Sequence, residues 1–179
     1  MTEKPRRGRK PPAPLAPEAA RERALRALGR REHSARELTR KLTHDGLDPL
    51  HASEVVGELG ESGWQSDARY ARLLTRSRIA QGYGPLRIRA ELTSRGVDDA
   101  LIREALDEAA PDWLDIVGQL YDRRFARPPA SQKERASRYR FLASRGFTSS
   151  QVSSVLGPVV ECDDPEMTED EDGLQDDLS

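Results

Sequence analysis

Leu92-Thr93-Ser94-Arg95-Gly96-Val97-Asp98 is the stretch on which the fold turns. A glycine accepts the left-handed conformation that ends a helix, and the apolar residue behind it packs back on the last helical turn. Asp98 then accepts from the first free amides of a following helix. The heptapeptide therefore reads as a corner joining two helices with almost no loop. Fifty residues to either side the corner returns, as Leu42, Gly46, Leu47 and Asp48 and as Leu142, Gly146, Phe147 and Thr148. The same shift superposes Ala52, Ile102 and Val152, and the pairs Val55-Val56, Ala105-Leu106 and Val155-Leu156. The third copy departs at one core position, where Arg138 stands in place of Leu38 and Ile88.

Outward from the corners the apolar residues keep helical spacing. Leu25 and Leu28, Leu38 and Leu42, Val55, Val56 and Leu59, and Leu101, Ile102, Ala105, Leu106 and Ala109 fall three or four residues apart. Trp113, Val117, Leu120 and Tyr121 continue the pattern, and no stretch alternates long enough for a sheet. Ser34 with Glu37, Ser131 with Glu134 and Thr148 with Gln151 have the capping-box spacing. Pro49 and Pro85 sit where a first helical residue needs no N–H. A further helix precedes each corner pair, near residues 18–31, 66–81 and 111–126. The expected fold is all-α, a tandem repeat of three three-helix units over 18–62, 63–110 and 111–160, forming an elongated, curved nine-helix array. Gly46, Gly96 and Gly146 are its structural corners.

Charge is segregated along the chain. The total is 29 Lys+Arg against 31 Asp+Glu, but residues 1–20 hold 5 basic and 2 acidic side chains and residues 161–179 hold 10 acidic and none basic. What remains is a body of net +5, with 24 basic and 19 acidic residues. Residues 1–17, with Pro5, Pro11, Pro12, Pro14 and Pro17, read as a disordered basic arm, and 161–179 as a disordered acidic tail. The tail either competes with nucleic acid for the protein's own basic face or keeps the chain soluble. With 36% hydrophobic and 34% charged residues, thin helical layers are expected rather than a thick core. No apolar run approaches the ~18 residues of a membrane span, and no secretory leader is visible. One cysteine, Cys162, excludes an internal disulfide and a cysteine zinc site. A reduced, cytoplasmic monomer is expected.

Four segments stand out in order and spacing: Arg31-Glu32-His33-Ser34 with Glu37-Leu38 and Lys41-Leu42; Asp67-Ala68-Arg69-Tyr70-Ala71; Gly84 with Arg87-Ile88, Glu91-Leu92 and Arg95-Gly96-Val97; and Lys133 with Arg140-Phe141-Leu142 and Arg145-Gly146-Phe147-Thr148. In them the chain resembles the RecX family, bacterial regulators of the RecA recombinase. The resemblance spans about 140 residues and stops near residue 160. It implies tandem three-helix repeats and a non-enzymatic protein. Its implied partner is RecA and the filament RecA forms on single-stranded DNA, whose ATP hydrolysis, strand exchange and coprotease action it suppresses from the filament groove.

Arginines supply the candidate contacts. Arg69, Arg72 and Arg76 form one helical stripe, and Arg23, Arg26 and Arg30 repeat that spacing. Arg123, Arg124 and Arg127, then Arg135, Arg138, Arg140 and Arg145, make the last unit the most basic. The expected partner or DNA contacts are Arg69, Arg72, Arg76, Arg87, Arg124, Arg127, Arg135, Arg138, Arg140 and Arg145, because guanidinium groups grip carboxylates and phosphates in forked pairs. The competing reading is a set of solvated faces, since arginine outnumbers lysine 25 to 4, as GC-rich coding alone produces. Among the aromatics, Tyr83 in Gly82-Tyr83-Gly84-Pro85 is the best candidate for exposure. His33, His44 and His51 lack metal-ligand spacing, so no metal is expected. No acid, base and nucleophile converge, so neither catalysis nor a cofactor is expected. The alternative function is a general DNA-binding helical module, with weak direct DNA contact; a plain scaffold is the third.

Overall fold

In the computed structural model, residues 16–157 are described; the expected basic arm up to residue 15, the last three residues of the expected third unit (158–160) and the expected acidic tail, 161–179, lie outside them. Nine helices and no strand occur among the described residues. Unit one holds α1 (Pro17–Leu28), α2 (Ala35–His44) and α3 (Pro49–Glu61). Unit two holds α4 (Asp67–Ala80), α5 (Pro85–Ser94) and α6 (Asp99–Ala109), and unit three α7 (Trp113–Arg124), α8 (Gln132–Ser144) and α9 (Ser149–Leu156). Pro17, assigned to the arm from sequence, is the first residue of α1. Proline suits that position because the first helical N–H has no acceptor within the helix.

The corners form as their chemistry requires. Gly46, Gly96 and Gly146 have φ of 101°, 81° and 90°. The amides of Leu47, Val97 and Phe147 reach back to the carbonyls of Leu42, Leu92 and Leu142 at 3.1, 3.2 and 3.4 Å, which consumes acceptors stranded at the helix ends. Asp48, Asp98 and Thr148 then cap α3, α6 and α9.

Each unit has its own core. Leu42, Leu92 and Leu142 are buried at matching positions, as are Leu47, Val97 and Phe147 and Ala52, Ile102 and Val152. In α1 the buried face differs from the expected one. Leu25 and Leu28 are only half-buried, and Ala20, Ala24 and Ala27 face the core. Alanine costs no side-chain entropy and lets helices approach closely, so a hydrophobicity pattern weighted to leucine finds the wrong stripe.

The capping boxes also differ from expectation. Only Thr148 and Gln151 form the reciprocal pair. Ser34 and Ser131 accept from the amides of Glu37 and Glu134, but neither glutamate returns the bond to its own cap residue. Glu37 pairs instead with Arg31 and Arg95, and Glu134 with the amide of Ala130 and with Arg138. A guanidinium partner outcompetes a neutral amide for a carboxylate.

Neighbouring units are joined start of helix to corner. Ser34 Oγ donates to the Arg95 carbonyl at 2.7 Å, and Asp67 at the start of α4 accepts from the Ala35 amide at 2.9 Å. Fifty residues on, Gly84 replaces Ser34, and its own amide donates to the Arg145 carbonyl at 2.9 Å while Leu86 donates to Gly146 at 3.0 Å. A Cβ on Gly84 would collide with the Gly146 backbone, so glycine here permits a backbone-to-backbone junction. Among the described residues no hydrogen bond or ion pair joins units one and three, and the units form a row.

Candidate partner-binding surface

The α4 stripe is engaged within the protein. Arg69 Nε meets Glu32 at 2.9 Å and its terminal nitrogens donate to the carbonyls of Gly63 and Trp64. Arg72 bonds Glu104 at 2.6 Å and Glu108 at 2.5 Å, and Arg76 reaches Glu108 at 2.9 Å. The hydrogen bond it donates to Glu104, with the Glu108 charge behind it, holds the Arg72 guanidinium still more firmly protonated than usual. Spacing three and seven placed these arginines on one face, whose Arg72 and Arg76 meet the glutamates of α6 while Arg69 turns to Glu32 and the Gly63–Trp64 carbonyls. On α1, Arg23 pairs with Asp45 and Arg26 with Glu22.

Arg138 is built into the protein. It is 7% exposed, at the position of Leu38 and Ile88. Its guanidinium donates to Tyr121 Oη at 2.7 Å, to the carbonyls of Arg127 and Pro128, and to Glu134 at 3.2 Å. It also lies over the Phe125 ring, 4.7 Å from the centroid. A buried charge survives only when paired and bonded, and here its work is to hold the α7–α8 connection. It has no free face to offer a partner.

The other candidates are more available. Arg87, Arg124, Arg127 and Arg140 are exposed, and none has a carboxylate partner among the described residues. Arg135 is half-buried and donates to the Gly157 carbonyl at 3.2 Å. Arg145 stacks on Tyr83 and Phe141, 5.2 and 5.4 Å from their centroids. Tyr83 is half-buried rather than exposed, because Arg145 of the next unit covers it. Unit three thus contains eight cations, of which only Arg138 has a carboxylate partner among the described residues.

A second basic feature was only partly legible from spacing. Arg23 and Arg26 of α1 and Arg30 just beyond it line a cleft of about 380 Å³ together with Lys41 of α2, and Asp45 is its one acid. Lys41 belongs to a different helix, so no single-helix pattern could connect it.

At and beside the junction of units one and two, two carboxyls and a histidine are shifted by their surroundings. Burial pushes the Glu37 carboxyl up, but the Arg31 hydrogen bond and the charges of Arg31, Arg95 and His33 outweigh it and hold it below its ordinary 4.5. Glu91 is held low by a two-point grip from Arg78, at 2.7 and 2.8 Å. Burial, helped by Arg31, pushes His33 below its ordinary 6.5 despite the nearby Glu37.

Nine helices in three quasi-identical units, tied corner to helix start and most basic at the last unit, define an all-α tandem-repeat protein. Models of the first, second and third three-helix domains of RecX match residues 20–59, 66–106 and 112–156. The chain belongs to the RecX family. It is 42% identical over 153 residues to the regulatory protein RecX of Halorhodospira halophila, covering 85% of this chain and 95% of that one. The regulatory protein RecX of Chromohalobacter salexigens is 45% identical over 136 residues, covering 76% and 90%. The crystal structure of RecX from Lactobacillus salivarius superposes with a TM-score of 0.65 at 19% identity, over 78% of this chain and 94% of that one, a likeness of fold. No helix among the described residues is long and apolar enough to cross a membrane.

Proposed function

We propose that the protein is a non-enzymatic, cytoplasmic regulator that binds the RecA recombinase and its filament on single-stranded DNA. On this reading it acts as a monomer and mainly inhibits ATP hydrolysis, strand exchange and coprotease action. Membership of the RecX family across all three domains supports the partner. The observation that carries the mode of binding is the cation surplus of unit three. Arg124, Arg127 and Arg140, like Arg87 of unit two, are exposed without carboxylate partners among the described residues. Such groups meet carboxylates or phosphates without first breaking an internal pair. Arg69, Arg72 and Arg76 are instead engaged internally, Arg72 and Arg76 with the glutamates of α6 and Arg69 with Glu32 of unit one. A row of units linked end to end suits a filament groove, where it would bridge neighbouring recombinase subunits and hinder the motions that accompany ATP turnover.

The test is single-strand-dependent ATP hydrolysis by the cognate recombinase, with this protein added at a small fraction of one per subunit. Strong inhibition at that ratio is expected, and a strict one-to-one titration would argue against capping of the growing end. No effect at equimolar protein would sink the proposal. Changing Arg124, Arg127 and Arg140 together to Gln should weaken filament binding roughly tenfold, chiefly through slower association. The general DNA-binding reading is separated by salt. It requires affinity for DNA to fall steeply with rising salt whether or not recombinase is present.

A further inference from the structure

Four cations converge on the cleft of about 380 Å³ in unit one. Arg23, Arg26 and Arg30 arrive at helical spacing from α1 and the turn that ends it, and Lys41 comes from the last turn of α2. Among the described residues the rest of the wall is Asp45 and Ala27, so four cations stand against one acid, a net of three positive charges. A concavity of this size holds a small ligand.

These charges are weakly committed within the protein. Arg30 and Lys41 are exposed and have no carboxylate partner among the described residues. Arg26 pairs with Glu22 and Arg23 with Asp45, each at 3.4 Å, and the first pair is largely exposed on both sides. Exposed pairs of this kind contribute little and give way to a stronger anion. Cations near the end of a helix do complement its negative pole. That effect acts on each helix separately, and it does not account for Lys41 gathering with three arginines of another helix. No aromatic ring lines the cleft among the described residues, so nothing there stacks on a base. What four cations around a small volume recognise is charge density, and directly linked phosphates concentrate it most. A nucleic-acid strand instead spreads single charges along its length.

We propose that this cleft is an oxyanion site for linked phosphates, either inorganic tripolyphosphate or the triphosphate of a nucleotide, held by Arg26, Arg30 and Lys41. Asp45, paired with Arg23, repels the ligand from its own end of the cleft. Binding is blind to the base and graded by the number of joined phosphates. The site belongs to unit one, whereas the proposed function rests on the cations of unit three, so either reading can fail alone.

The experiment titrates the full chain with sodium tripolyphosphate in about 0.05 M salt free of divalent cations, and reads backbone amide shifts. Amides around Arg26, Arg30 and Lys41 should move and saturate. ATP and GTP should bind there equally, and inorganic monophosphate roughly tenfold more weakly, having lost at least one charge-assisted contact. Arg30→Gln with Lys41→Gln should weaken tripolyphosphate about tenfold. Asp45→Asn removes no cation and should tighten it about threefold, which tests the same cleft from the opposite sign. Arg124, Arg127 and Arg140 changed together to Gln should leave these shifts unaltered. Movement confined to unit three, no movement around Lys41, or unchanged affinity in either unit-one variant overturns the site. A marked preference for one nucleotide base, or tighter seating of a thymidine oligonucleotide than of tripolyphosphate, overturns linked phosphates as its ligand.

Discussion

A corner glycine answers to two demands at once. At Gly146 the left-handed backbone disfavours any side chain, and an added Cβ would also press on the Cβ and backbone nitrogen of Arg87 in the preceding unit. Gly96 repeats this against Arg36, whose Cδ would lie 2.6 Å away. Gly63 has a similar φ of +73° but open space around it, so it isolates the backbone effect. Gly63→Ala should therefore cost about 1–2 kcal/mol, and Gly146→Ala about 1–3 kcal/mol more through the clash. Urea denaturation of both variants checks the order, and equal losses would show that the junction gives way freely. His33 offers a residue-scale test in pH. Its folded pKa lies below 6.5, so the unfolded chain binds more protons in that window and stability falls as pH drops below 6.5. Glu37 and Glu91, also depressed, contribute stability that is complete above 4.5 and is lost as pH falls through their folded values. Thermal melts should decline gently below pH 6.5 and steeply below 4.5, and His33→Gln should abolish the first decline while leaving most of the second, to whose Glu37 part the His33 charge contributes.

At the scale of elements, helix starts do the assembling. The first amides of a helix have no internal acceptor, and this chain satisfies several of them from the next unit: Asp67 for α2, and the carbonyls of Arg145 and Gly146 for α5. The three hydroxyl caps with capping-box spacing therefore differ in value. Thr148 serves only α9, and Thr148→Ala should cost about 1 kcal/mol. Ser34 both caps α2 and donates to Arg95 across the junction while fully buried. Ser34→Ala strands the Arg95 carbonyl as well, so it should cost about 1–3 kcal/mol beyond the cap. Equal denaturation midpoints for the two variants would refute this reading of the junction.

The whole molecule is a row whose two joints differ in kind. Between units one and two the links are mostly charged side chains, with Glu32 to Arg69 and Glu37 to Arg95 flanking the Asp67 contact beside the neutral bond from Ser34 to the Arg95 carbonyl. Between units two and three they are backbone hydrogen bonds from Gly84 and Leu86. Salt screens the first kind and leaves the second nearly untouched. Hydrogen exchange should therefore find the Ala35 amide less protected at high salt, while Gly84 and Leu86 keep their protection. A parallel loss at both sites would mean that the row opens as one body. If the joints behave as expected, the flexible point lies between units one and two, and the cationic third unit moves with the second.

Periodicity and capping grammar by themselves determined the nine helices, their grouping in threes and the three glycine corners, because these depend on residues close together in the chain. Arg138 was visible as the odd member of its column, yet nothing local said that it would be buried against Tyr121 and Phe125. The fate of the arginine stripe was equally hidden. Arg72 and Arg76 share a face in any helix, but whether that face meets solvent or Glu104 and Glu108 is settled when α6 packs across α4. Pairing of charges about 30 residues apart is a property of packing, as is the cleft that brings Lys41 beside Arg23. The tertiary structure therefore decided which cations are spent internally and which remain exposed without a carboxylate partner, among them Arg30, Arg40 and Lys41 of unit one and Arg124, Arg127 and Arg140 of unit three, because pairing depends on which helices pack together.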